Sequence, residues 1–113
     1  MTLTELDDKY YFHDSSLEAI SFDQKRNSLE IAIDFCFWMQ PDFKEGMPET
    51  GMIQIIFNGV QEFIGEHGSY NDLTILDIIV SENNKLTFQT IDEDNKEYIE
   101  LTVIAESVEI VVQ

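Results

Sequence analysis

His13, Asp14 and Ser15 supply the three residue types of a serine hydrolase triad, standing side by side in the chain. A working triad draws its members from separate places, because adjacent residues cannot aim their side chains along one proton path. The chain also lacks a Gly-x-Ser-x-Gly nucleophile elbow. The trio therefore predicts a turn. Asp14 and Ser15 carry short side chains that bond neighbouring backbone amides and would pin the chain as it enters a strand. His13 would orient that turn or pack on Tyr10, Tyr11 and Phe12 just before it.

His13 and Asp14 also open a metal or ligand reading, with His67, Glu66 or Asp72 as further donors. No Cys pair or His-Glu-x-x-His accompanies them, so the spacing falls far short of a zinc signature and no metal or cofactor is expected. Residues 92–97 start like a calcium loop, but Lys96 stands where an oxygen donor is needed and Glu97 where glycine is needed. A hairpin turn is the better reading. Glycines at 46, 51, 59, 65 and 68 are scattered and cradle no phosphate. The 23 Asp and Glu always offer carboxylate pairs, yet none sits in a motif, and a solvated face accounts for most of them. No catalytic residue is assigned, and the chain reads as non-enzymatic. The alternative is a small ligand-binding, metal-binding or enzymatic domain with its site around His13 and Asp14, in a cleft between sheets.

A binding surface is the remaining candidate. Trp38, Met39, Phe43 and Met47 run into a loop that contains Pro41 and Pro48, and aromatics and methionines ringed by acid are what protein interfaces favour. The competing reading folds this loop back so that the same residues close the end of the core.

The elements that must position these residues are strands. Residues 29–38 alternate most clearly, with Leu29, Ile31, Ile33, Phe35 and Phe37 on one face and Glu30, Ala32, Asp34, Cys36 and Trp38 on the other. The first face must be buried. Residues 16–23 alternate imperfectly, which predicts a bulge or a strand covered on both sides, and a short polar turn joins them to residues 29–38 as a hairpin. Residues 39–50 leave regular structure, and loops of that length are often functional. Alternation resumes over 52–58 until Gly59 interrupts it, and residues 60–72 read as a second connection with one helical turn at 60–64. Strands follow over 73–80, 86–91 and 98–105, joined by Asn- and Asp-rich turns. A break at Glu106–Ser107 precedes a last strand at 108–113. Residues 4–10 read as a loose arm. The expectation is an all-β chain of about seven antiparallel strands, rich in meander connections, folded as a sandwich or as one strongly curved sheet, with at most short helical turns.

At 113 residues this is a single β-rich domain, 1–113, able to bury a core of its own. The lone Cys36 forms no internal disulfide, and its apolar setting predicts a buried, reduced thiol. The first residues lack the pattern of a secretion signal and no stretch reaches the length of a membrane span, so the expected location is cytoplasmic. Charge is the strongest global fact, at −17 with six Lys and Arg. Such a surface repels nucleic acid and anionic lipid, since both are bound through basic patches. It would instead steer a basic protein toward it, or simply keep a β-rich domain soluble. A homodimer through an edge strand is a further option.

Residues 11–20, Tyr-Phe-His-Asp-Ser-Ser-Leu-Glu-Ala-Ile, with Phe57, Asn58, Gly59 and Val60 further on, resemble a group of small bacterial proteins, mostly uncharacterised. These open with Phe-His-Asp-Ser or Phe-His-Asp-Ala and continue through a strand to a Phe-x-Gly-Val-like segment. Some are classed among the immunity proteins of polymorphic toxin systems. The resemblance covers roughly the first 60 residues and implies an acidic, non-enzymatic domain that masks a toxin. It transfers no binding residue, and it makes His13, Asp14, Ser15 and Gly59 a structural signature.

Overall fold

The computed structural model describes residues 1–65 and 72–113. A short helix, α1 (Leu3–Lys9), precedes six strands: β1 (Ser16–Asp23), β2 (Ser28–Cys36), β3 (Thr50–Ile64), β4 (Leu73–Ser81), β5 (Lys85–Asp92) and β6 (Glu97–Val112). All neighbours are antiparallel, and the sheet closes into a barrel in the order β1-β2-β3-β6-β5-β4. The curved-sheet form of the expectation therefore holds, and the sandwich does not.

The alternation of β2 places Leu29, Ile31, Ile33 and Phe35 in the barrel interior, each at most 2% exposed. Across from them Ile53, Ile55 and Phe57 of β3 point the same way, because directly paired residues share a face. Phe12, Phe35, Phe57 and Phe88 are the largest side chains of the core. Phe12 and Phe35 meet edge to face at 5.3 Å, as do Phe57 and Phe88 at 6.3 Å, the geometry that ring quadrupoles favour. The expected bulge in β1 is present, between Leu17 and Ala19. The hairpin turns take positive φ at Asn27, at Asn83 and Asn84, and at Lys96. At the last of these, Asp92 Oδ1 accepts from the backbone amides of Asp94 and Asn95 while Oδ2 accepts from the Asn95 side chain. The calcium-like stretch is thus a self-bonded turn, and those bonds, from Asn95 first, hold the Asp92 carboxyl below its ordinary pKa.

Four expectations need correction. Of residues 4–10, read as a loose arm, 4–9 belong to helix α1 and Tyr10 is its C-cap. Thr2 and Glu5 form a reciprocal capping box, and burial of Leu3 and Leu6 stabilises the seven-residue helix by roughly 1.5–3 kcal/mol per leucine, which its length alone could not do. Residues 60–64 are strand rather than helical turn, since β3 continues through a bulge between Val60 and Glu62. Residues 98–105 and 108–113 are one strand, β6, so the count is six rather than seven. The central strand ends at Cys36, and Phe37–Met39 form a 3₁₀ turn.

The second and third corrections share a cause. Inward positions run Ile53, Ile55, Phe57 and then Val60 on β3, and Leu101, Val103, Ala105 and then Val108 on β6. Both strands slip phase at the same level, where Gly59 lies opposite Glu106, and the register between Phe57↔Val108 and Val60↔Ala105 is kept. Gly59 has φ +63°, where a side chain would be strained, and a Cβ there would lie 2.7 Å from the Glu106 carboxyl carbon, which would have to swing aside.

Candidate functional site: the barrel mouth

One end of the barrel gathers the N-terminus of β1, the C-terminus of β2, the N-terminus of β3 and the C-terminus of β6. Around it lie α1 and residues 37–49, so most sequence-predicted site residues come to this end.

His13, Asp14 and Ser15 sit where the barrel closes. Strands β1 and β4 share the register pairs Ser16↔Thr74 and Leu17↔Leu73. The chain before β1 extends this contact: the Asp14 amide donates to the Ile75 carbonyl at 2.9 Å, and the Ile75 amide to the Ser15 carbonyl at 2.8 Å. Asp14 takes φ 66° to do so, a conformation that short polar residues tolerate better than most. His13 Nδ1 donates to the Leu76 carbonyl at 2.7 Å, and its ring stacks on Tyr11 with centroids 5.8 Å apart. Nε2 lies 3.5 Å from Asp14 Oδ1, an ion pair once the imidazole is protonated. Ser15 is fully buried, and its Oγ accepts from the Cys36 amide at 3.0 Å. None of these bonds joins His13 to Ser15: the His13 ring and the Asp14 and Ile75 amides hold the closure, and the Ser15 hydroxyl ties the entry of β1 to the end of β2.

Sequence reasoning missed the partner of this junction, Gln40. The residue is 9% exposed. Nε2 donates to the carbonyls of Tyr11 at 2.7 Å and Cys36 at 3.0 Å, while Oε1 accepts from the Tyr11 amide at 2.9 Å. The side chain thus pairs with Tyr11 as a strand would and ties the loop to the junction. Its signal was a lone amide ending the apolar run 35–39.

The four apolar candidates divide. Met47 is 41% exposed and lines the mouth. Trp38 is 49% exposed, with its amide donating to the Glu49 carbonyl at 3.0 Å. Met39 and Phe43 are half-buried, and the Phe43 amide donates to the Gln40 carbonyl. Cys36 is buried, as its apolar setting suggested.

Met47 borders two adjoining grooves at the mouth. One, of about 420 Å³, is lined by Lys9, Tyr10, Phe35, Phe37, Gln40, Asp42, Met47 and Val112. The other, of about 360 Å³, is lined by Phe37, Met47, Pro48, Thr50, Gly51, Val112 and Gln113. Phe37 was expected on the buried face of the central strand, and Val112 continues the inward face of β6. They became groove walls because that face runs past the end of the packed interior. A third cleft, between α1 and β4, holds Asp7, Asp8 and Asp77 beside Tyr11. Burial pushes the Asp7 carboxyl above its ordinary pKa, and the charges of Asp77 and Asp8 add to the shift.

Among the described residues no group of three or more His, Cys, Asp or Glu is arranged to hold a metal ion. The candidates His67 and Glu66 lie outside the described residues. Asp72 lies beside Glu18, whose carboxyl is raised by burial first, against a hydrogen bond from Ser16, with Asp72 and Asp34 adding repulsion. No helix is long and apolar enough to cross a membrane among the described residues. Comparison with family models, with curated proteins and with solved structures finds no match to this chain.

Proposed function

We propose that this chain is a non-enzymatic, acidic cytoplasmic binding domain that masks a basic protein, in the manner of an immunity protein covering a toxin domain. The observation that carries this reading is the uncompensated surface charge. The chain holds 23 Asp and Glu against six Lys and Arg. Among the described residues the ion pair made by a Lys or Arg is Arg26 with Asp23, at 3.9 Å and largely exposed. A field of that sign speeds encounter with a cationic partner and suppresses anionic ones. Affinity would then come from a few buried apolar anchors. The occupied polar groups of His13 and Ser15 lend no support to a ligand or catalytic site at that position.

The test is capture from the native cell's lysate on the immobilised chain, washed at low and then high salt, with retained species identified by mass. One basic protein, released by salt and lost when exposed carboxylates are neutralised, is the expected result, because screening weakens association between exposed charges. Recovery of the chain alone would remove the basis for the reading.

A further inference from the structure

We infer that a basic protein partner docks at the barrel mouth by inserting one large apolar side chain between Phe37, Met47 and Val112. This rests on the reading of the chain as a receptor for a basic protein, and adds where and how that protein is held.

Val112 pairs with Ile53 across β3 and β6 and therefore shares its inward face. Ile53 is 1% exposed, whereas Val112 is 64% exposed. The core face thus continues beyond the core and ends bare. The opposite wall is already rigid: Phe37 packs edge to face on the buried Phe35 at 5.4 Å, and Gly51 gives it room, since a Cβ there would lie 2.8 Å from the Phe37 ring. The groove is preformed, so binding needs little ordering of its walls. Its volume of about 360 Å³ stands near the lower end of the ~300–1,000 Å³ range of small-ligand sites, which suits one large side chain and not a helix.

Charge decides what carries that side chain. The groove-bearing loop exposes Asp42, Glu45 and Glu49 against Lys44, and of these Asp42 lines the adjoining groove together with Lys9 of α1. An anchor flanked by Lys or Arg meets complementary charge on this rim. A second copy of the chain would press carboxylates against carboxylates.

The test is an NMR titration of the full chain, following backbone amides and methyl groups. The probe is the blocked peptide Lys-Lys-Trp-Lys-Lys, with Lys-Lys-Gly-Lys-Lys and Glu-Glu-Trp-Glu-Glu as comparators. Saturable shifts centred on Gly51, Met47 and Val112 are expected with the first peptide. The glycine peptide should bind roughly tenfold more weakly or less, and Met47→Lys should abolish the shifts. Tyr98→Lys, at the far end of β6, should leave them unchanged. Because both substituted side chains are exposed, an unchanged spectrum without peptide shows that each variant is folded. Equal binding of the tryptophan and glycine peptides, binding centred elsewhere, or no binding would overturn the groove while leaving the acidic receptor reading intact. Equal binding of the glutamate peptide would overturn the charge argument and with it that reading. Shifts of the mouth residues that depend on protein concentration alone would put a second copy in the groove and overturn the proposal.

Discussion

Two seams hold the barrel, and they do so by different means. Strands β3 and β6 pair from Ile53↔Val112 to Ile64↔Thr102, whereas β1 and β4 share two register pairs among the described residues. The long seam distributes its stabilisation over many cross-strand contacts of about 0.2–1 kcal/mol, none of them decisive. The short seam is extended by specific groups: the Asp14 and Ile75 amides, the Ser15 carbonyl and the His13 imidazole. Where pairing is short, single residues matter more.

The largest effect should come from Phe12→Ala, beside the short seam, set against Phe57→Ala in the interior of the long one. Both rings are at most 2% exposed, and each truncation should cost about 3–5 kcal/mol in urea unfolding. Hydrogen exchange should separate them, since Phe12→Ala should strip protection from the Asp14 and Ile75 amides while β3–β6 amides still exchange by global unfolding. Uniform loss in both variants would dissolve the contrast.

Ser15→Ala comes next. It leaves the Cys36 amide buried without its acceptor and should cost about 1–3 kcal/mol. Gln54→Ala, on the outer face of the long seam, should stay within about 0.5 kcal/mol. Similar urea midpoints for the two would show that the hydroxyl tying the entry of β1 to the end of β2 matters no more than an outward side chain of the long seam. His13→Phe keeps a ring against Tyr11 but loses the bond to Leu76, for an expected cost of about 0.5–1.5 kcal/mol.

The smallest effect is electrostatic. The folded Asp7 carboxyl has its pKa raised above 3.8, so in the window just above that value the folded state binds more protons than the unfolded one. Stability contributed at this position therefore falls as pH rises from 3.8 through the raised folded pKa. Asp7→Asn should gain no more than about 0.5 kcal/mol near neutral pH, and the gain should fade below pH 3.8. A gain independent of pH would point to a cause other than charge.

Strand β2 could be read directly from its alternation because one face is buried and the other is not. Strands β3 and β6 could not be followed to their ends, since a phase slip at Gly59 and Glu106 looks in one dimension like a strand end. It is visible as continuity only when the two strands lie side by side. Helix α1 has too few turns to show a period, although Thr2 and Glu5 carried the capping signal. The mouth was half readable. Met47 came from composition, but Phe37 and Val112 required knowing where the interior stops, which no local pattern encodes.

The position of β6 bears on how the chain is made. It lies between β3 and β5, although it follows both in the order of synthesis. Until it emerges, β1–β2–β3 and β4–β5 are separate ribbons joined along the β1–β4 contact, and the edges of β3 and β5 that it will occupy stand open. Open edges invite pairing with other chains, so the nascent protein is at its most aggregation-prone while β6 is still to be added. Residues 1–96 produced alone should accordingly associate or be degraded, and addition of a peptide spanning 97–113 should restore the closed barrel.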